Sequence, residues 1–254
     1  RADNRWFARN MVNRTWSWLI GRGIIHEPDD IRPDNPPSNA PLLAYLQKAF
    51  AASRYDTRAL FRLILNSHTY QQSPIPRSNN PDAERYFAHY IVRQLDAEIL
   101  VDALNWICGS GEGYSSAIPE PFTFIPKTQR TVSLADGSIT SQFLEMFGRP
   151  ARDTGLEGER NSLPSDAQRL HMLNSTHIQN KIESGWGLKR ILKSGRGKPA
   201  AAIRTLYITV LSREPTPDEM ETAMAHFAAT GKNSRVAAND LMWALINSKE
   251  FLFR

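Results

Sequence analysis

Six ionisable side chains crowd one glycine-punctuated stretch: Arg149, Arg152, Asp153, Glu157, Glu159 and Arg160, set around Gly148, Gly155 and Gly158. Two kinds of chemistry suit such a loop. Arginine presents a planar fork of donors that grips an anionic group through paired hydrogen bonds, so Arg149, Arg152 and Arg160 are candidate ligand-binding residues. Glu157 and Glu159 could supply paired carboxylates for general acid–base work or glycoside hydrolysis, and are the candidate catalytic residues. The opposing reading is structural. A loop dense in opposite charges needs internal partners before it needs a substrate, and a self-satisfied ion-pair network would pin it to neighbouring helices.

A second constellation joins Asn13, Arg14 and Trp16 to Asp29 and Asp30. A helix-borne arginine can orient against loop carboxylates and anchor a proline-rich segment. Two adjacent aspartates could also take a hard cation, but the alternating oxygen ligands of a calcium loop are missing. The histidines carry no metal signature. His171 and His177 stand six apart, which does not place them on one face of a helix, and there is no H-E-x-x-H. No metal or cofactor is expected.

The third candidate is basic. Lys189, Arg190, Lys193, Arg196 and Lys198, with Trp186 beside them, could meet a polyanion, or could be a solvated helix face and loop. Gly195-Arg196-Gly197-Lys198 lacks the spacing of a phosphate loop, because Leu192 stands where its first glycine belongs. No G-x-S-x-G elbow or G-x-G-x-x-G fingerprint is present.

The elements that must position these groups read as helices. Apolar residues recur at helical spacing from Asn4 to Ile20, with Gly21 and Gly23 as terminators. Asn39 can cap the next helix with Pro41 in its first turn, and a further helix begins near Asp56. Pattern resumes from Asp82 to Ile107, with a break at Asp96. The segment from Gly109 to Pro126 is irregular. Thr131–Leu134 and Ser138–Thr140 flank Ala135-Asp136-Gly137 as a plausible small hairpin. Ser165 with Gln168 and Thr216 with Glu219 are capping boxes that start helices, and a last helix runs from about Arg235 to Asn247. Leu65-Asn66-Ser67, Leu173-Asn174-Ser175 and Ile246-Asn247-Ser248 repeat one pattern, read either as recurring turn chemistry or as traces of a duplicated helical hairpin. The expected fold is all-α: an irregular multi-helix domain with a long loop-rich middle. It reads as a single helical unit over 1–254, with sub-regions 1–72, 82–182 and 186–254.

Composition sets the outer limits. The 254 residues are 41% hydrophobic and 22% charged, ordinary for a globular chain. No run is long and apolar enough for a membrane span. One cysteine, Cys108, excludes an internal disulfide, and its apolar neighbours Leu104, Trp106 and Ile107 suggest a buried, inert thiol. The net charge of +5 permits polyanionic partners without choosing among them. The opening Arg1-Ala2-Asp3-Asn4 is neither a start methionine nor a signal peptide, so the chain reads as a fragment of a longer protein.

Three stretches, in order, carry a resemblance. The first runs from Phe7-Ala8-Arg9-Asn10-Met11-Val12-Asn13-Arg14-Thr15-Trp16 through Gly21-Arg22-Gly23-Ile24 and Asn35-Pro36-Pro37-Ser38-Asn39 to Ser67-His68-Thr69-Tyr70-Gln71. The second is Arg93-Gln94-Leu95-Asp96-Ala97-Glu98. The third joins Phe143-Leu144-Glu145-Met146-Phe147-Gly148-Arg149-Pro150 and Glu157-Gly158-Glu159-Arg160 to Ala167-Gln168-Arg169-Leu170-His171-Met172-Leu173-Asn174. Over nearly its whole length the chain resembles the planctomycete-type domain of unknown function numbered 1553. The resemblance implies the C-terminal part of an exported or cell-envelope protein, in organisms that degrade complex polysaccharides. It also implies an upstream companion domain and, in some cases, a cytochrome c-like module. Many members of that family carry cysteines where this chain has Leu156 and Gly158, so a thiol or metal role for that loop is not expected here.

The expected function is a non-catalytic accessory or interaction domain that packs on its companion. Alternatives are a carbohydrate-active hydrolase or lyase using the loop glutamates, and a polyanion-binding module. An anionic glycan fits as partner; nucleic acid is disfavoured.

Overall fold

The computed structural model describes residues 4–116, 125–126, 128–134, 138–150, 157–161, 163–195, 197–231 and 234–254. These are predominantly α-helical. No β-strand occurs among them, only isolated bridges between Gln94 and Phe253 and between Ser115 and Thr140. The chain forms two compact units, Arg1–Arg93 with Gly155–Glu159, and Gln94–Thr154 with Arg160–Arg254.

In the first unit, α1 (Arg5–Ile20) begins where the Asn4 side chain accepts from the Trp6 and Phe7 amides, and ends at Gly21, whose φ of +95° suits glycine. Val12, Trp16 and Ile20, four apart, form its buried stripe. They share a core with Leu43, Leu46 and Phe50 of α2 (Ala40–Ala52) and with Leu60 and Ile64 of α3 (Thr57–Leu65). Asn39 caps α2 with Pro41 in its first turn, and Asp56 caps α3.

The second unit is built on α4 (Ala97–Cys108), which buries Leu100, Val101, Leu104 and Ile107. Around it come α5 (Gln142–Met146), α6 (Asp166–Asn174), α7 (Thr176–Ser184), α8 (Trp186–Ser194), α9 (Pro199–Leu211), α10 (Pro217–Ala229), α11 (Ser234–Ile246) and α12 (Lys249–Leu252). Both capping boxes close as the sequence implies, Ser165 with Gln168 on α6 and Thr216 with Glu219 on α10.

The threefold Asn-Ser echo is one turn used three times. Ser67, Ser175 and Ser248 each accept, on the side-chain oxygen, the backbone N–H three residues ahead: Tyr70 at 3.2 Å, Ile178 at 3.3 Å and Phe251 at 3.2 Å. Asn66 and Asn247 return their amides to the carbonyls four residues back.

Two expectations fail. The helix expected from Asp82 begins only at Ala97. Phe87 takes a φ of +56°, which no helix accommodates, and its ring meets Trp16 edge-on at 5.2 Å in the first core. The hairpin expected around Ala135 is replaced on its first arm by a 3₁₀ turn at Thr131–Ser133, because the Asp102 carboxylate of α4 accepts the Thr131 and Val132 amides at 2.7 and 3.2 Å. Thr140, expected in its second arm, pairs with Ser115 instead. Residues 135–137 lie outside the described residues.

Candidate functional site

The arginines of the charged loop hold a carboxylate that the loop does not contain. Arg160 donates from both terminal nitrogens to Glu98 on α4, Nη1 to Oε2 at 3.0 Å and Nη2 to Oε1 at 2.8 Å. Nε of Arg149 lies 3.4 Å from Glu98 Oε1, and its Nη1 donates to the Ile139 carbonyl at 3.1 Å. Burial alone would raise the Glu98 carboxyl's pKa. The Arg160 hydrogen bonds and the two guanidinium charges overcome that and hold it below its ordinary value. Glu159 belongs to the first unit, Arg149 and Arg160 to the second. Arg152, Asp153 and the side chain of Glu157 lie outside the described residues.

Arg14 and Asp29 form an ion pair, and Nη2 of Arg32 donates to Asp30 at 2.8 Å. Asn13, wholly buried on α1, does more for this loop. Its amide donates to the Ile25 and Pro28 carbonyls at 3.0 and 3.1 Å, and its oxygen accepts the Ile25 amide at 2.8 Å.

His171 and His177 do meet. They lie on separate helices, α6 and α7, because Ser175 breaks the run between them. His171 Nε2 and His177 Nδ1 are 3.2 Å apart, and His177 Nε2 lies 3.1 Å from Glu112 Oε2. The ammonium of Lys181, almost fully buried, sits 2.8 Å from that same oxygen and donates to Asn105 Oδ1 and the Gly111 carbonyl at 2.6 and 2.7 Å. Burial pushes the Glu112 carboxyl up, but the His177 and Lys181 hydrogen bonds and charges bring it below its ordinary value. An ionised Glu112 can only accept, so His177 donates to it from Nε2; the direction between His171 Nε2 and His177 Nδ1 follows the protonation of His177. The groups stand in series. Among the described residues, no three or more His, Cys, Asp or Glu side chains are placed to hold a metal ion. Cys108, next to this cluster, is buried, and burial pushes its thiol up to about 11.

The basic segment gains a partner that the sequence reading missed. On α8, Trp186, Lys189, Arg190 and Lys193 fall at i, i+3, i+4 and i+7, one face of the helix. The opposite face buries Leu188 and Ile191. The Arg190 guanidinium lies 4.6 Å from the Trp186 ring centroid and 6.0 Å from that of Trp106 on α4. Both indoles are more than half exposed, Trp106 at 62% and Trp186 at 56%. Lys189, Lys193 and Lys198 are exposed and carry no ion pair among the described residues; Arg196 lies outside them. Glycine brings the two tryptophans together. A Cβ on Gly185 would fall 2.0 Å from the Cys108 carbonyl oxygen, and one on Gly187 would fall 2.1 Å from that of Ile107. Only bare backbone lets the start of α8 rest against the end of α4. The signal for Trp106 was helical phase: with Leu100, Leu104 and Ile107 inside, position 106 must face out.

Among the described residues no helix is long and apolar enough to cross a membrane. No curated protein and no solved structure matches the chain. The family model described as a protein of unknown function (DUF1553) matches residues 1–227, and the chain belongs to that family.

Proposed function

We propose that the chain is an accessory binding domain of an exported or cell-envelope protein, acting beside a companion domain of the same chain and taking an anionic glycan on the Trp106–Arg190–Trp186 surface. The observation that carries this reading is the pair of exposed indoles bracketing one guanidinium, with three unpaired lysines alongside. Exposed tryptophan is costly unless something covers it. The faces of an indole are electron-rich and suit the C–H face of a pyranose ring. The cations suit sulfate or carboxylate substituents on the same chain. The catalytic alternative draws no comparable support: Arg149 and Arg160, its expected partners, are engaged by Glu98.

The test is an affinity titration against heparin, dextran and single-stranded DNA. Heparin is expected to bind with a strong salt dependence, dextran weakly, and Trp106→Ala or Trp186→Ala to weaken heparin binding by about tenfold, roughly 1.4 kcal/mol. Heparin binding by both tryptophan variants as tight as that of the unsubstituted chain, or a preference for DNA, defeats the glycan reading.

A further inference from the structure

The first unit contains a cavity of about 480 Å³, within the range of small-molecule sites. Its apolar walls come from Trp6 on α1 and from Ile31, Pro33, Pro36 and Pro37 of the loop that joins α1 to α2. Three polar side chains also line it, Arg9 of α1, Arg32 of the loop and Gln47 of α2.

Arg9 is the unusual one. Its Nε is shut off from solvent, and among the described residues the side chain has no hydrogen-bond acceptor and no ion pair. A guanidinium stays charged at any accessible pH and presents donors in a fixed fork. Arg32, the other cation on the wall, is already matched by Asp30. Gln47, like Arg9, has no side-chain partner among the described residues. One wall is built before any ligand arrives. Asn13 holds Ile25 and Pro28, the Asn35 amide donates to the Asp30 carbonyl at 2.9 Å, and Ser38 donates from its backbone N–H to the Ile24 carbonyl at 2.8 Å. Four prolines, Pro28, Pro33, Pro36 and Pro37, stiffen the same loop.

We infer that this cavity binds a small carboxylate carried on an apolar ring. The carboxylate accepts from the terminal guanidinium nitrogens of Arg9 and from the Gln47 amide. The ring lies against Trp6 and the prolines. Preformed walls and an unspent cation give up little on binding, so affinity rests on the carboxylate–guanidinium contact.

Calorimetry of the full chain with phenylacetate tests this, using phenylacetamide as the uncharged isostere. Phenylacetate is expected to bind in the sub-millimolar range, phenylacetamide at least tenfold more weakly. Arg9→Gln is expected to lose phenylacetate binding while keeping the wild-type melting temperature, because among the described residues Arg9 has no side-chain partner to lose. If Arg9→Gln proves poorly folded, Gln47→Leu serves, with a smaller expected loss of several fold. In NMR spectra the Arg9 side-chain N–H signal is expected to shift on addition of phenylacetate. Absence of phenylacetate binding at millimolar concentration overturns the inference. So does equal binding of the amide, or an unmoved Arg9 signal. Heparin binding is read separately, on the second unit, and does not bear on this outcome.

Discussion

Arg160 clasps Glu98 at two points, 3.0 and 2.8 Å, so the charged loop is tied to α4 and its arginine fork is spent on the fold. Arg149 shares the same carboxylate. Glu98→Gln keeps the shape and removes the charge, leaving two guanidinium groups facing a neutral amide. Breaking one side of such a largely buried pair costs about 3 kcal/mol. Arg160→Lys keeps the charge and loses the fork, so a smaller loss is expected. Urea denaturation checks both. A Glu98→Gln variant as stable as wild type would show that the clasp does not brace the second unit.

Acid should weaken the fold in two stages. Burial first, then the neighbouring His177, hold His171 below its ordinary value of 6.5 against the pull of Glu112. His26 of the first unit is lowered too, by burial and by Arg22. The folded form therefore takes up protons less readily than the unfolded chain. Stability is fully present above pH 6.5 and falls as pH drops through the folded values. Glu98 and Glu112, held below their ordinary value of 4.5, add a second loss as pH falls below 4.5. The urea midpoint measured from pH 7.5 to 3.5 is expected to show both. His171→Gln should shrink the first stage without abolishing it, since His26 remains. A midpoint that is flat between pH 7 and 5 contradicts the assignment.

Gly185→Ala places a methyl group 2.0 Å from the Cys108 carbonyl oxygen and 2.6 Å from that of Lys181. Both are backbone atoms, so helices must part. The backbone of Gly185 is itself ordinary, with φ −62°, so any cost is steric and not conformational. A loss of about 2–3 kcal/mol is expected, within the range for overpacked sites. Because the same contact sets Trp106 beside Trp186, folded Gly185→Ala should also bind heparin less well. Gly197→Ala, with nothing within 4 Å but a φ of +73°, should cost only about 1 kcal/mol and leave binding unchanged.

Local signals in the sequence carried far. Caps at Asn39, Asp56, Ser165 and Thr216 and the stop at Gly21 lie where the residue types place them, because each depends on neighbours within four positions. What stayed hidden depends on distant partners. Asp102 turns Thr131–Ser133 into a 3₁₀ turn from 29 residues away, and nothing near Thr131 announces it. Six-residue spacing argued against a meeting of His171 and His177 only on the assumption of one helix, although Ser175 already stood in the sequence as a cap. Glu98 sat inside a stretch that carried the family resemblance, yet nothing local tied it to arginines 51 and 62 residues away.

Asn13 offers the sharpest test of how the first unit is held. It is wholly buried and meets one donor and two acceptors of the loop after α1. Asn13→Ala strands the Ile25 amide and two carbonyls, an expected loss of about 3 kcal/mol. Asn13→Asp keeps the acceptor for the Ile25 amide but turns a charged oxygen toward the Ile25 and Pro28 carbonyls. Repulsion and burial both raise the pKa of such a carboxyl above the ordinary aspartate value. At neutral pH, then, Asn13→Asp should be less stable than Asn13→Ala, although it is closer to wild type in shape. On acidification the buried carboxyl takes up a proton before the unfolded chain does, so the gap between Asn13→Asp and wild type should narrow as pH falls from 7 toward 5. Thermal melts of the three proteins across that range decide it. If Asn13→Asp matches wild type at pH 7, the loop does not depend on the amide donor, and the wall of the cavity it supports is not preformed in the way the hydrogen bonds indicate.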